Sequence, residues 1–600
     1  MSELNDEGPL RLAAGVVTPQ EWERAAVAVL ARRGRAPDQP ADVWDALSRT
    51  TIEGVAVPAL GTAERLAGRV VSVNLPDRTA QGWDVRSAVF DTDPATAAAT
   101  AVNELENGAT SLWLTLGEHG LAPEGLADAL RPVHLTMAPV VVGAGAGVTE
   151  QAAAAALAEA IRAADGSPAA GTSLGADPIG RSARAGELPD ASGIADTIGD
   201  IADLAADLGV GGFAVDARVA HDRGAGDAAE LAYALAAGVQ YARALTDGGL
   251  DAQRAFDLLE FRLAVTDDQF SSMAKLRAAR ALWGRVGQLS GAAGAMRIHA
   301  VTSSPMTTRY DPWVNLLRTT IAAFSAGVGG ADAITVLPFD IRLGVPDAFG
   351  RRMARNISSL LVDESHVAAV ADPAAGAYAV ETLTQELAEA AWAGFQDIER
   401  AGGVLGALAD GSLSGSWAQT ATRRRAQVAT RRRPITGVSE FPNLAETLPV
   451  RSPWSHDPAA DAIVWSADFE ALRDEPAGDA VFLATLGPIA DHSARAGFVT
   501  NLLAAGGVAA RSAGRTDTVE DVIAAYRGDR VVVLTGSDAA YAAWGADVIT
   551  ALRAAGAGTV MLAGKPVPEL ADLIDDHVAV GDDVVDFLGR VRAELTGVRA

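Results

Sequence analysis

The chain has 600 residues, too many for one hydrophobic core, so two or more domains are expected. It contains no cysteine, which excludes disulfides, thiolate metal sites, iron–sulfur clusters and a cysteine nucleophile. Its formal net charge of −27 makes nucleic acid a poor partner, because phosphate groups would be repelled over most of the surface.

Residues 1–45 are predicted to form an acidic arm and one helix that contact another subunit. The helix is expected to begin after Thr18 as N-cap, with Glu21 in the capping-box position. The first residues lack the basic region of a signal peptide, and no apolar segment is long enough to span a bilayer. We therefore expect a cytoplasmic protein with no membrane partner.

Residues 46–400 alternate short β-rich runs with alanine-rich helical runs, a pattern typical of βα units on a parallel sheet. Eight runs have the character of strands; they start at Ser111, Pro139, Gly171, Gly212, Leu259, Met296, Ala331 and His366. This number predicts a (β/α)8 TIM barrel and an α/β fold class.

The rest of the chain is predicted to form a connecting segment and a second domain. Residues 401–475 are interpreted as a helical tail and linker with two arginine triplets, Arg423–Arg425 and Arg431–Arg433. Their helical spacing favours a solvated or acid-pairing face, with phosphate or RNA binding as the alternative. Residues 476–600 return to a βαβ pattern and predict a compact, flavodoxin-like (Rossmann-like) domain.

Polar residues near the predicted strand ends are the first candidates for a site, because a barrel places its chemistry there. Arg297 and His299 interrupt the apolar pattern of one strand, whereas Lys275 is predicted to be a solvated helix lysine. Gly143–Gly147 lacks the lysine and spacing of a phosphate-binding loop, so a βα turn is expected. No metal site is predicted, because the other polar residues near strand ends lack ligand spacing; they are Asp332, Asp340, His366 and Asp372.

Several longer runs resemble the acyl-CoA mutases, specifically methylmalonyl-CoA mutase. The runs are GWDVRSAVF (82–90), RGAGDAAELAYALAAGVQYARA (223–244), AKLRAARALW (274–283), MRIHAVTSSPMTTRYDPWVNLLRTT (296–320), RRMARNISSLLVDES (351–365) and ADPAAGAYAVETLTQELAEAAW (371–392). The resemblance implies a barrel that takes acyl-CoA through its axis and a C-terminal domain that binds adenosylcobalamin. The cofactor then supplies the radical chemistry.

The cobalamin motifs of that family are degenerate in this sequence. The family's lower ligand to cobalt comes from an Asp-x-His-x-x-Gly motif, and Ile489, Asp491 and Ala494 stand at its three positions. His492 lies one residue late and is a weak candidate ligand; otherwise it is expected to be an exposed loop histidine. The supporting Ser-x-Leu and Gly-Gly motifs correspond to Leu534–Ser537 and Ala563–Gly564 and are not kept. No cofactor and no metal are therefore expected on this chain.

The barrel motifs of the family are also altered. Ala88 replaces an aromatic residue that closes the cavity, Arg218-Val219 replaces a Tyr-His pair, and the carboxylate-binding arginine falls at Ile194. The retained positions are Lys275, Arg297, His299, Glu364 and Ser365. Arg297, His299 and Glu364 are interpreted either as a residual acyl-CoA site or as core polar groups that hold one another.

These departures resemble the small (beta) chain of the heterodimeric members of the family, which has the same two-domain fold without cofactor or chemistry. The resemblance implies a structural partner for a large (alpha) subunit that binds adenosylcobalamin. Two alternatives stay open. One is an active cobalamin-dependent isomerase that uses His492, and the other is a degenerate module that binds acyl-CoA without turnover.

Overall fold

The computed structural model describes residues 17–32, 34–35, 37–66, 73, 82–187, 190–293, 296–455 and 460–597. Most of the predicted acidic arm, residues 1–16, lies outside these ranges, as do residues 456–459 of the predicted linker. Within the described residues, no helix is both long and apolar enough to cross a membrane.

The N-terminal part begins with helix α1 (Pro19–Ala31), which has the predicted capping box. The Thr18 hydroxyl accepts from the Glu21 N–H, and the Glu21 carboxylate accepts from the Thr18 N–H at 2.8 Å. The elements that follow are short; they are a 3-10 turn (Pro40–Asp42), α2 (Val43–Leu47), the antiparallel strands β1 (Arg49–Thr50) and β2 (Ala56–Val57), and α3 (Ala63–Leu66).

Eight parallel strands close into a barrel in the order β10-β3-β4-β5-β6-β7-β8-β9. The strands are β3 (Asp84–Val89), β4 (Ser111–Leu116), β5 (Val140–Ala144), β6 (Ser173–Ala176), β7 (Gly211–Asp216), β8 (Leu259–Val265), β9 (Ile298–Thr302) and β10 (Ala333–Thr335). The predicted closed eight-stranded parallel barrel is confirmed.

Seven of the eight predicted strand runs are barrel strands. The prediction was wrong for the last run along the chain, and it omitted the first barrel strand. The run from His366 is not a strand; Val367–Ala369 forms a 3-10 turn, and His366 has a left-handed φ of 52°. Its place is taken by β3, which pairs with β10 on one side and β4 on the other. Strand β3 was not predicted as a strand, because Asp84, Arg86 and Ser87 interrupt the apolar pattern expected of a buried strand.

Twelve helices surround or cap the barrel. They are α4 (Pro94–Glu106), α5 (Leu126–Leu130), α6 (Glu150–Ala163), α7 (Pro178–Ala185), α8 (Ala191–Leu208), α9 (Arg218–Asp222), α10 (Asp227–Asp247), α11 (Ala252–Asp257), α12 (Gln269–Ser290), α13 (Trp313–Val328), α14 (Ala348–Ser359) and α15 (Tyr378–Arg400). Their many alanines permit close approach: helices α10, α12 and α15 pack on one another, and most of the α10 side chains are buried.

The connecting segment contains α16 (Gly403–Ala409), α17 (Ser412–Ala429) and α18 (Ala467–Asp474). Between α17 and α18 the chain runs along the barrel, where Val345 pairs with Ser452 and the Trp454 indole donates to the Ile341 carbonyl at 3.0 Å. Arg425 pairs with Asp468 at 2.6 Å, as an acid-pairing face predicts. Arg424 of the same triplet is buried instead.

A separate five-stranded parallel sheet follows, in the order β12-β11-β13-β14-β15. Its elements are β11 (Val481–Thr485), α19 (Ile489–Ala505), β12 (Ala510–Ser512), α20 (Val519–Ala525), β13 (Val531–Thr535), α21 (Asp538–Ala540), α22 (Ala546–Ala554), β14 (Thr559–Ala563), β15 (Asp576–Val578) and α23 (Val584–Thr596). Alternate residues of β11 enter different cores, with Val481 and Leu483 on one face and Phe482 and Ala484 on the other. Both faces of the sheet are therefore covered, as expected for a parallel sheet.

Candidate functional site

The candidate site is the barrel lumen, and two side chains from opposite walls meet inside it. Trp113 lies on β4 and Arg262 on β8, four strands apart in the barrel order. The Arg262 guanidinium carbon lies 4.4 Å from the centroid of the Trp113 indole ring. This distance places a cation–π contact directly across the barrel axis.

A second contact crosses the lumen nearer the amino ends of the strands. Arg86 of β3 donates to Glu260 of β8 at 2.7 Å, and both side chains are buried. Arg86 also pairs with Asp84 at 3.0 Å. Burial raises the pKa of Glu260, but the nearby guanidinium groups outweigh it and hold the pKa below its usual value. Glu260 is therefore an ionised counter-ion and not a proton donor.

Asp216 balances the charge at the carboxyl ends of the strands. Its carboxylate contacts Arg218 at 2.6 Å and Arg262 at 3.2 Å. Burial opposes ionisation of Asp216, but these two arginines lower its pKa well below its ordinary value. The Arg218 guanidinium also lies 4.9 Å from the centroid of the Trp113 ring. Arg218, which stands where the family has the tyrosine of a Tyr-His pair, is therefore held by Asp216 and Trp113.

His299 is a buried part of the same network. Its Nδ1 accepts from Arg262 Nε at 3.2 Å, so in the neutral ring Nε2 carries the proton and donates to Thr335 Oγ1 at 2.7 Å. Burial lowers the pKa of His299 well below its ordinary value, and the cation Arg86 lowers it further. The imidazole is therefore neutral, and both of its nitrogens are hydrogen-bonded within the chain.

The structure does not bring Arg297, His299 and Glu364 together. Arg297 precedes β9 at the amino end of the barrel; its side chain is 44% exposed and contacts Glu260 at 3.2 Å. Glu364 is exposed on a π-helical turn (Leu360–Glu364). The expectation that these residues hold one another is wrong, because Glu260 is the group that contacts both Arg297 and His299, the latter at 3.8 Å.

The residues that fill the lumen were missed by sequence reasoning, although a signal existed. Asp216, Glu260 and Arg262 are charged residues inside strand runs that are otherwise apolar. Such residues must find partners when a strand is buried on both faces. Of the other predicted barrel positions, Val219 is buried in the hydrophobic core and Ala88 lies on β3 beside Trp113.

Lys275 is not a solvated helix lysine, and that prediction was wrong. Its ammonium group is fully buried and lies 2.8 Å from both Asp227 and Glu230. The periodicity of α12 suggested an exposed polar face, but α10 and α15 cover that face. Burial lowers the pKa of Lys275, but the two carboxylates outweigh it and raise the pKa above its usual value.

The remaining strand-end acids are also paired with arginines. Asp332 pairs with Arg280 at 2.6 Å, Asp340 with Arg451, and Asp372 with Arg277. Among the described residues, no group of three or more potential ligands is arranged to hold a metal ion. Residues 143 and 144 end β5, and residues 145–147 belong to the connection to α6, so the segment lies at the predicted βα turn.

The degenerate cobalamin motif lies at the start of α19. Ile489 is 65% exposed, and Asp491 and Ala494 are exposed on the same helix. His492 is not the exposed loop residue that was expected; it is 6% exposed within α19, where Nδ1 lies 3.2 Å from the Gly487 carbonyl oxygen. A helix fixes the direction of each side chain. A histidine one position after the motif position therefore points in a different direction, which a loop could have corrected.

The chain's own side chains fill the crevice at the carboxyl ends of β13 and β14. The Tyr541 hydroxyl accepts from the Gly536 N–H at 3.1 Å and donates to the Ala563 carbonyl at 2.9 Å. The Arg495 guanidinium lies 4.9 Å from the Tyr541 ring and donates to the Gly536 carbonyl at 2.6 Å. In open parallel sheets of this order ligands bind at the switch point between β11 and β13, and Arg495, on the helix after β11, reaches Gly536 after β13 there.

The fold and the lumen define an α/β protein built from a parallel eight-stranded barrel crossed by ion pairs, followed by a separate parallel-sheet domain. A family model described as methylmalonyl-CoA mutase matches residues 115–527. The chain belongs to the methylmalonyl-CoA mutase family.

Relatives of nearly equal length agree with this assignment. The methylmalonyl-CoA mutase small subunit of Streptomyces virginiae is 45% identical, over 98% of both chains. The probable small subunit of Mycobacterium tuberculosis is 39% identical over 96% of this chain and 97% of that one. The small subunit of Propionibacterium freudenreichii subsp. shermanii is 36% identical over 95% and 94%, respectively.

Proposed function

We propose that this chain is the small, non-catalytic subunit of a heterodimeric, adenosylcobalamin-dependent methylmalonyl-CoA mutase. The large (alpha) subunit would carry the interconversion of methylmalonyl-CoA and succinyl-CoA. The observation that carries the proposal is the Trp113–Arg262 contact, because it fills the barrel axis through which acyl-CoA passes in the family. The names of the full-length relatives support it independently.

The adenosylcobalamin of the family does not fit the residues of this chain. The motif position for the lower ligand is Asp491, and the adjacent His492 is buried in α19 against the Gly487 carbonyl. Tyr541 and Arg495 fill the crevice of the sheet domain. We therefore assign the cofactor to the large subunit and derive no reaction step on this chain.

We propose the domain division that the sequence suggested. Residues 1–45 would form a subunit-contact arm, 46–400 the mutase-type barrel, 401–475 a tail and linker, and 476–600 a degenerate cobalamin-binding-type domain. The strand order β12-β11-β13-β14-β15 follows the 2-1-3-4-5 order of flavodoxin-like folds and supports the last assignment. A cytoplasmic location stays a prediction from the sequence.

Two alternative functions are an active isomerase and a module that binds acyl-CoA without turnover, and each makes a structural demand on this chain. An active isomerase using His492 requires that this buried helix residue leave the Gly487 carbonyl and reach cobalt. A residual acyl-CoA module requires that Arg297, at the amino end of the barrel, bind ligand without His299, which is engaged by Arg262 and Thr335. Neither alternative explains why charged pairs cross the lumen.

Co-expression with the large subunit tests the proposal. A tag on this chain is expected to capture the large subunit in equal amounts, as an obligate interface predicts, and the complex is expected to be active. His492→Ala in this chain should leave the isomerase activity of the complex unchanged. Loss of activity in His492→Ala with the complex intact would favour the shifted-ligand isomerase. Failure to form a complex would contradict the subunit role.

A further inference from the structure

A cleft of about 740 Å³ lies outside the barrel lumen, beside the carboxyl ends of β7 and β8. Its walls come from the β1–β2 hairpin, the starts of α10, α12 and α15, the end of α17 and the arginines that follow α17. This volume falls in the range of about 300–1,000 Å³ that is typical of small-molecule sites. The lining includes two arginines, Arg424 and Arg433, together with Glu53, Asp227, Phe270 and Trp465.

Arg424 is a buried cation in the wall of this cleft, and no carboxylate of the described residues forms a direct ion pair with it. Its side chain is 6% exposed, and its Nη2 makes one long hydrogen bond, 3.4 Å, to the Ala225 carbonyl. Its Nε and Nη1 have no hydrogen-bond partner among the described residues. Burial and, next, the neighbouring Arg433 lower the pKa of Arg424 to about 10, against the attraction of Asp227 and Glu53. A buried charge in this state destabilises the chain unless an anion joins it.

Arg433 adds a second guanidinium at the same place. The guanidinium carbons of Arg424 and Arg433 lie 5.1 and 4.5 Å from the centroid of the Trp465 ring. Within the residues that the structure describes, neither guanidinium forms a direct ion pair with a carboxylate, whereas the adjacent Arg425 and Arg431 do. Two cations that share one aromatic ring repel each other, so an anion of more than one charge would suit them best.

The carboxylates of the cleft make their direct contacts elsewhere or are exposed to solvent, although Asp227 and Glu53 still attract Arg424 at longer range. Asp227 pairs with Lys275 at 2.8 Å, and Glu53 accepts from the N–H groups of Ala228 and Ala229 at 2.9 Å. Asp267 lies 3.9 Å from Arg318, and Asp268 is exposed. Arg424 therefore keeps two unused donor groups, and Arg424 and Arg433 keep part of their positive charge for a ligand.

The cleft also offers an apolar surface. Phe270 is 55% exposed at the start of α12, although it is a large aromatic residue. Leu383 and Leu387 of α15 lie behind the same wall and are buried, so Phe270 supplies the exposed apolar surface. A ligand that combines an anionic group with an apolar body therefore matches both parts of the wall.

We propose that this cleft binds a phosphorylated small molecule, with its phosphate on Arg424 and Arg433 and its apolar part on Phe270. A phosphate monoester carries close to two negative charges at neutral pH and three acceptor oxygens, which match two guanidinium groups better than one carboxylate does. The site is separate from the lumen and does not depend on the proposed subunit role.

Titration calorimetry on the full-length chain tests the proposal with phenyl phosphate as the probe. Phenyl phosphate is expected to bind more tightly than inorganic phosphate or benzoate, because each of these lacks one of the two groups. Arg433→Gln should weaken binding roughly tenfold or more. The matched control is Arg423→Gln, an exposed arginine of α17 next to Arg424 that does not line the cleft, and it should leave binding unchanged.

Arg424→Met supplies a readout that separates ligand binding from folding. Removing a buried cation that has no direct ion pair should raise the melting temperature of the ligand-free chain while weakening phenyl phosphate binding. No binding at about 10 mM phenyl phosphate would overturn the proposal. Unchanged binding in Arg433→Gln, equal binding of benzoate, or a lower melting temperature in Arg424→Met would overturn it as well.

Discussion

Arg262 on β8 and Trp113 on β4 meet across the barrel axis, with the guanidinium carbon 4.4 Å from the ring centroid. Asp216 holds Arg262 from the next strand at 3.2 Å, and His299 accepts from it on the other side. The lumen thus contains a network of paired charges, although Trp113 Nε1 and Arg262 Nη2 make no hydrogen bond to the described residues. The strands of the barrel are therefore held together by side chains that cross its axis.

Asp216→Asn should destabilise the chain strongly, because it leaves Arg218 and Arg262 without their shared counter-ion. We expect a loss of about 3–5 kcal/mol in the free energy of unfolding, measured by urea denaturation. The control is Asp207→Asn, which removes an exposed pair with Arg162 and should cost less than about 1 kcal/mol. Equal effects of the two substitutions would show that the lumen network is not structural.

Lys275→Met tests the buried lysine that joins α12 to α10. The substitution leaves Glu230 buried without its cation, so a loss of about 3–5 kcal/mol in unfolding free energy is expected. Adding Glu230→Gln should recover part of that loss, since the unpaired carboxylate is then gone. Lys565→Met, at an exposed lysine, is the control and should change stability by less than about 0.5 kcal/mol. A solvated Lys275 would behave like Lys565.

The difference between Lys275 and Lys565 also shows where sequence reasoning stops. Hydrophobic periodicity predicted the α12 helix and the closed barrel, because both depend on local patterns of apolar residues. It could not show that α10 and α15 cover the polar face of α12, since that burial arises from residues distant in sequence. The same limit applies to Glu260, whose partners lie on β3 and before β9. Which charged residues pair depends on how the strands close into the barrel, and the sequence of a single strand does not show it.

Gly238 is expected to be required for packing of α10 on the barrel. A Cβ at this position would lie 2.7 Å from Cζ of Phe261 and 2.9 Å from Cζ3 of Trp283, closer than side chains tolerate. Gly238→Ala should therefore lower the unfolding free energy by about 1–3 kcal/mol. Gly199→Ala, in α8 with no atom within 4 Å of the added Cβ, should be neutral or stabilising. A neutral Gly238→Ala would contradict the close packing described.

Asp222, at the end of α9, should make stability depend on pH. Burial raises its pKa from 3.8 to about 7, although Arg218 opposes the shift. The folded chain then binds a proton that the unfolded chain has released, so this stabilisation is present below about pH 4 and is lost as pH rises through 7. Relative to Asp222→Asn, the wild-type chain should lose unfolding free energy between pH 5 and pH 8 in urea titrations. A difference that stays constant across this range would refute the assignment.

The most direct test of the subunit role is the cobalamin content of the purified chain and of its complex with the large subunit. Each is incubated with adenosylcobalamin, freed of unbound cofactor, and measured by its visible spectrum. We predict no bound cobalamin on the isolated chain and one cobalamin per heterodimer, unchanged by His492→Ala. Bound cobalamin or isomerase activity in the isolated chain would contradict the account.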